Sequence, residues 1–160
     1  MSVIIKKMET DEEVRGKAYV AWRSWQDTYP GMVSQAYLDC TTLEMCEETA
    51  FKWRDGFFVA KDGDRVVGFV GYGTWRDDPE LVGEVYALYV LKEYHGTGVG
   101  RRLMDAALEE LRAYPQVSLW VLKANSRAIR FNEKCGFVAT GEEQYLERLE
   151  ATEIRMVRMR

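Results

Sequence analysis

Hydrophobic positions along this chain keep two different periods, and the switches between them outline an architecture. Residues 2–7 (SVIIKK) read as a short strand. Thr10 or Asp11 suits a helix N-cap, and apolar positions recur at Val14, Ala18, Ala21 or Trp22, and Trp25, one helix face over about 11–28. Tyr29-Pro30-Gly31 breaks that run, and shorter helical pieces follow across about 34–53. The period then drops to two. FFVAKDGDRVVGFVGYGTW (57–75) reads as two strands around a tight turn at Asp62-Gly63-Asp64, and VGEVYALYVL (82–91) as another strand. A helix over about 98–113 carries Val99, Leu103, Ala107 and Leu111 on one face. A strand at 117–122, a helix at about 126–134 and two strands near 137–146 and 152–160 complete the chain. Helices interleaved with strands predict an α/β domain on a mixed sheet, a single domain over residues 1–160.

Composition narrows the function classes. The chain has 160 residues, 47% hydrophobic and 30% charged, enough to bury a core without disulfide staples. A formal charge of −4 argues against nucleic acid as the main partner, since phosphate-backbone binding needs a basic excess. No apolar run approaches the ~20 residues that cross a bilayer, and SVIIKKMETDEE does not read as a signal peptide, so no membrane partner is expected. Cys40, Cys46 and Cys135 have no metal-type spacing; reduced thiols in a cytoplasm, and no metal, are the simplest expectation.

The stretch EYHGTGVGRRLM (93–104) carries the first candidate chemistry. A strand, a glycine-rich turn and a helix start aim free backbone N–H groups and about half a positive charge at whatever the loop holds. Gly96, Gly98 and Gly100 let backbone approach a bulky anion, and Arg101 and Arg102 add full charges. A phosphate-loop nucleotidase would need G-x-x-x-x-G-K-[ST], and a dinucleotide fold G-x-G-x-x-G at its first strand; G-T-G-V-G past the middle of the chain is neither. The glycines alone are equally compatible with a sharp structural turn.

H-G-T-G-V-G-R-R resembles the pyrophosphate loop of the GNAT N-acetyltransferase superfamily, Q/R-x-x-G-x-G/A. GEVYALYV is similar to that family's fourth strand, and NSRAIRFNEKCGF to its N-x-x-A-x-x-F-Y-x-x-x-GF segment, through Asn125, Ala128, Phe131, Gly136 and Phe137. The resemblance covers about 57–145 closely, with one strand between the two later motifs. It implies a mostly antiparallel sheet of six to seven strands with splayed fourth and fifth strands, and acetyl-CoA as co-substrate. It also implies roles: backbone from Gly96, Thr97, Gly98, Val99, Gly100 and Arg101 for the diphosphate, with His95 beside it; backbone at Leu88, Tyr89 and Val90 for the pantetheine arm; Asn125 near the sulfur end, or simply as a helix N-cap.

The chemistry sets further requirements. An amine of pKa about 10.4 needs a base at neutral pH, costing roughly 4–5 kcal/mol to deprotonate. Glu84, where the family often has a base acting through water, is the first candidate, with Tyr86 on the same strand face; an exposed strand carboxylate is the competing reading. Where the family usually has a tyrosine acid this chain has Asn132, whose amide can hydrogen-bond sulfur but not deliver a proton, so either Tyr94, Tyr145, Cys135 or solvent protonates the departing thiolate or the enzyme is slow. Trp22, Trp25 and Tyr29, with Asp27, Glu44, Glu47 and Glu48 in the same region, suit a cationic acceptor, although both tryptophans are equally compatible with core packing. These residues point to an N-acetyltransferase for a small primary amine such as a polyamine. A protein N-terminus or lysine as acceptor, and a non-catalytic acyl-CoA sensor, stay open. Many relatives dimerise, and EIRMVRM is a plausible edge for a homodimer.

Overall fold

At the first helix the N-cap is a reciprocal box. The Thr10 hydroxyl accepts the Glu13 N–H at 3.1 Å, and the Glu13 carboxylate accepts the N–H groups of Thr10 at 3.1 Å and Glu9 at 2.8 Å. The computed structural model describes residues 2–160. Its elements are β1 (Val3–Lys7), α1 (Asp11–Thr28), α2 (Gln35–Cys40), α3 (Leu43–Lys52), β2 (Phe57–Asp62), β3 (Arg65–Thr74), β4 (Val82–Val90), α4 (Val99–Glu110), β5 (Gln116–Leu122), α5 (Ser126–Lys134), β6 (Val138–Leu146) and β7 (Ala151–Met159). A single 3₁₀ turn at Lys92–Tyr94 separates β4 from the glycine loop. Among the described residues no helix is long and apolar enough to cross a membrane, and no group of three His, Cys, Asp or Glu side chains could hold a metal ion.

One seven-stranded sheet runs in the order β1-β2-β3-β4-β5-β7-β6. Every pairing is antiparallel except β4 with β5, so the sheet is mixed and mostly antiparallel as expected. The parallel pairing is brief: Val82, Gly83 and Glu84 meet Gln116, Val117 and Ser118, and from there the strands diverge. Between β3 and β4 the register shifts, with Tyr72 opposite Val85 and Gly71 opposite Ala87, so Tyr86 is the extra residue of a β-bulge. The bulge sits where the strands part.

β7 lies between β5 and β6, which corrects the expectation that EIRMVRM is an edge. Met156 is fully buried on β7, whereas β6 is exposed along most of its length and forms the sheet border. An alternating apolar strand is the same text whether it borders the sheet or inserts into it.

The helical stripes are mostly as the spacing predicts. Val99, Leu103, Ala107 and Leu111 are all buried, joined by Met104 and Leu108. On α1 the buried residues are Glu13, Val14, Lys17, Ala18, Val20 and Ser24. Trp22 is off that stripe; its ring lies 6.0 Å from Tyr19, with the Arg23 guanidinium 5.7 Å away. Trp25 packs into a smaller cluster with Tyr29, Val33, Leu38, Leu122, Leu149 and Ala151.

Glu13 ties α1 to the sheet. It is 2% exposed and takes ion pairs from Lys6 at 2.7 Å and Lys61 at 3.1 Å. Burial by itself raises its pKa, but the bonds from Lys6, the two backbone N–H groups and Lys61 outweigh that and hold it at about 2, against an ordinary 4.5. A carboxyl lowered on folding contributes stability above its unfolded pKa and loses it as the pH falls toward the folded value. Denaturant titrations of wild type and Glu13→Gln should therefore converge on acidification: wild type loses up to about 3 kcal/mol more than the variant between about pH 6 and 2. Parallel pH dependences would remove Glu13 as the source.

Candidate active site

Beyond Glu84 the facing edges of β4 and β5 have no strand partner, and backbone N–H and C=O groups must find one elsewhere. The space is a cavity of about 500 Å³. Val85 through Val90 form one wall and Leu119 through Leu122 the other. Leu88, Tyr89 and Val90, the predicted pantetheine contacts, thus pair with β3 on one side and face the cleft on the other.

At one end of the cleft stands the head of α4. Its N-cap, Gly98, has φ 88° and makes no side-chain cap, and Gly96 has φ 77°. Both angles are in the left-handed region that side chains rarely adopt, and a Cβ at either position would meet nothing within 4 Å. The N–H groups of Val99, Gly100 and Arg101 stand in the first turn, without intrahelical partners. Gly100 differs from the expectation: it is helical, and a Cβ there would merely touch the Phe131 ring at 3.4 Å. Gly96, Gly98, Gly100 and Arg101 line the cavity, whereas the Val99 side chain is core and the Thr97 hydroxyl donates to the Tyr94 carbonyl. Arg101 also bonds Asp105 at 3.2 Å and the Lys134 carbonyl at 3.3 Å. Arg102 turns away and donates to the Val3 carbonyl at 2.8 Å, which corrects its reading as a second loop charge. An uncapped helix head with open space at two left-handed glycines and an arginine beside it fits the diphosphate of coenzyme A.

Asn125 caps α5, its carboxamide oxygen accepting the Ala128 N–H at 3.1 Å, and it also lines the cavity. Asn132 lines it too, buried, its amide directed at the Met156 sulfur at 3.9 Å. Of the substitute acids considered, Tyr94 lines the cavity but donates its hydroxyl to the Asp62 carboxylate. Tyr145 is exposed on β6. Cys135 is 4% exposed in the core, and burial pushes its thiol pKa up.

Thr28, Tyr29, Tyr86, Trp120 and Glu153 also line the cavity, and Thr28 borders the recess beside the glycine loop as well. Tyr29 shares a hydroxyl contact of 2.9 Å with Tyr89, which also accepts the Trp25 indole N–H at 3.1 Å. Trp25 stays behind that layer and Trp22 is farther off, so of the predicted acceptor aromatics only Tyr29 lines the cavity. Asp27 is paired with Arg23, and Glu44, Glu47 and Glu48 lie on α3, outside the cavity. Tyr86 is half exposed, its hydroxyl donating to the Thr74 carbonyl at 3.1 Å. Glu84 is half-buried one turn of the pleat away and does not line the cavity. Burial raises its pKa to about 7, Arg155 and Arg76 pulling it down and Glu153 pushing it up.

Sequence reasoning missed two residues. Glu153 is on β7, and only the strand order brings it beside β5, opposite Leu122. Arg127 stands in the first turn of α5 and lines the cavity at the glycine-loop end. It is inside the NSRAIRFNEKCGF motif, and its charge next to the Asn125 cap was the available signal.

Comparison with known proteins agrees with this geometry. The profile of the acetyltransferase (GNAT) family matches residues 19–137. An uncharacterized N-acetyltransferase of Archaeoglobus fulgidus is 36% identical over 119 residues, 68% of this chain and 78% of that protein. A mycothiol acetyltransferase of Geodermatophilus obscurus is 40% identical over 96 residues, but these are 53% of this chain and 30% of that protein. In fold, the chain superposes on the PaiA N-acetyltransferase of Thermoplasma acidophilum in complex with coenzyme A with a TM-score of 0.76, 21% identity and 100% of both chains covered.

The glycine loop gives a direct test. Gly98→Glu puts a carboxylate and a strained left-handed residue at the helix head, so calorimetric titration with coenzyme A should lose its saturable heat while the variant melts cooperatively within a few degrees of wild type, since such strain costs roughly 1–2 kcal/mol. Unchanged affinity would mean the loop holds no diphosphate. On the profile match, the identity to relatives and the cleft itself, this chain belongs to the GNAT family of acetyl-CoA-dependent N-acetyltransferases.

Proposed function

We propose that the acceptor is a small primary amine carrying further positive charge, of the polyamine type, and that Glu84 takes up the proton the amine must lose. The observation that carries this is the polarity of the cavity. Arg101 and Arg127 are at the helix-head end, and Glu153 is the one carboxylate lining the cavity among the described residues. The arginines suit a phosphorylated carrier and the carboxylate a cationic acceptor within one cavity. Tyr29 and Trp120 line the same cavity and suit an alkylammonium chain.

Acetyl-CoA supplies an activated acyl group: the amine nitrogen bonds to the acetyl carbon as the C–S bond breaks, giving an amide and the coenzyme A thiol once the amine proton is removed. The amine is the harder partner. With a pKa of about 10.4 it is some three units above neutrality, whereas a thiol near 8.5 departs readily. Glu84 stands behind the cavity wall, so the proton reaches it through water on the face it shares with Tyr86. Its raised pKa of about 7 matches a base working near neutrality. Asn132 can hydrogen-bond sulfur but has no proton to deliver, which leaves thiolate protonation to solvent. Three free cysteines suit a reducing compartment, and we place the enzyme in the cytoplasm on that basis.

A free-thiol release assay over amines and N-terminal peptides tests the reading; transfer to peptides with none to amines would replace it, and coenzyme A binding without turnover on either would point to a sensor. Within it, two variants separate the carboxylates. Glu84→Gln should lower kcat/KM by about 10²-fold or more near neutral pH and by less at high pH, where the amine deprotonates unaided. An equal loss at every pH would assign Glu84 to binding. Glu153→Gln should raise KM for 1,5-diaminopentane by about tenfold, barely alter that for pentylamine, and move the acid limb of the pH profile slightly to lower pH, since its charge no longer raises Glu84. Equal effects on both amines would remove Glu153 as the site of the second cation.

A further inference from the structure

Arg127 is an exposed arginine with no carboxylate partner among the described residues, yet it is held in one place. Its guanidinium donates to His95 Nδ1. The other ring nitrogen, Nε2, lies 2.8 Å from the Val90 carbonyl. A carbonyl only accepts, so Nε2 carries the hydrogen and Nδ1 is the acceptor: the ring is neutral, in one tautomer. Burial lowers the His95 pKa and the Arg127 charge adds to that, while the Val90 carbonyl, Asp27 and Glu93 pull the other way. His95 therefore has no free nitrogen for a ligand. It is a bracket between the end of β4 and the head of α5.

The bracketed guanidinium faces two spaces. It lines the main cavity at the glycine-loop end and a recess of about 200 Å³ beside it. Lys92 adds a second cation to the recess, and Asp27, its one carboxylate, is bonded to Arg23. Ser24 lines both spaces; its side chain is 6% exposed, and its hydroxyl has no hydrogen-bond partner among the described residues. Two cations outside any ion pair among the described residues, Lys92 being within Coulombic reach of Asp27, and an unused hydroxyl, next to a loop already suited to a diphosphate, are the donor set of a phosphate site. We propose that Arg127, positioned by His95, binds a phosphate group of coenzyme A and so sets the preference for the full nucleotide carrier. Arg127 touches the ligand; His95 acts through Arg127.

Coenzyme A offers two sources of phosphate, the 5′-diphosphate and the 3′-phosphate, and dephospho-coenzyme A lacks only the second. Calorimetric titration at low salt with both compounds reads the proposal without turnover. Arg127→Gln should weaken coenzyme A binding about tenfold or more, with melting unchanged. If dephospho-coenzyme A is bound equally by variant and wild type, Arg127 holds the 3′-phosphate; if both compounds lose affinity together, it holds the diphosphate. His95→Phe should weaken binding in the wild-type background but not in Arg127→Gln, and His95→Gln, which keeps a donor and an acceptor, should retain it. A loss below about fivefold in Arg127→Gln overturns the proposal. A His95→Phe loss of the same size with and without Arg127 overturns the positioning role.

Discussion

The brevity of the β4–β5 pairing governs the rest of the molecule. A parallel ladder that continued past Glu84 would satisfy every backbone group and leave no cleft. Because it stops, the inner edges of Val85–Val90 and Leu119–Leu122 are obliged to find other partners, and the only room for them is the cavity. The bulge at Tyr86 adds a residue to β4 at the point of divergence, which increases the local twist and turns the strand away from β5. β7 then pairs with β5 along its whole length, from Gln116 to Leu122, so β5 is held firmly on its other side. A strand open on one edge is tolerated because the opposite edge is fully bonded.

Close packing fixes the anion end against this cleft. A Cβ at Gly68 would come within 3.1 Å of Leu103 and of the Tyr89 carbonyl, and one at Gly83 within 3.1 Å of Leu111. The absent side chains let α4 press onto β3 and β4, so the helix head is carried at a set height above the strand that lines the cleft. Arg102 reinforces this from the far side by bonding the carbonyl of Val3. The loop glycines and the sheet glycines thus serve different ends: Gly96 and Gly98 permit the left-handed turn, and Gly68 and Gly83 permit the approach.

Much of this was legible in the sequence because it depends on local rules. The helix of residues 99–110 announces itself through its apolar stripe, and its uncapped head through the glycines before it. The family motifs extend that reading to the strand splay. What was not legible depends on pairing between distant segments. Insertion of β7 beside β5 decides that EIRMVRM is interior and that Glu153 faces the cavity, and no local periodicity encodes either. Trp22 and Trp25 were ambiguous for a similar reason: one residue position on α1, about 100°, separates the buried stripe from the exposed face. The tautomer of His95 required both of its partners, one of them 32 residues away.

Asn132 bears on how the chemistry is distributed. The family usually has a tyrosine acid at this position; the asparagine here is buried, with its amide toward Met156 on β7. On the proposed mechanism the missing donor bears on the easier half of the reaction, since a thiolate with a conjugate acid near 8.5 is a tolerable leaving group at neutral pH, while an ammonium near 10.4 is no nucleophile. Under the proposed role of Glu84, its half-buried setting bears on the harder half: desolvation raises its proton affinity, and the nearby Arg155 and Arg76 keep it from rising further. Arg155 is itself held by Ser118 at 2.8 Å, by Glu142 at 2.9 Å and by the Trp75 ring at 4.5 Å. If Glu84 is the base, as proposed, the fold fixes the charge beside it in three ways and puts its constraints where the barrier is larger.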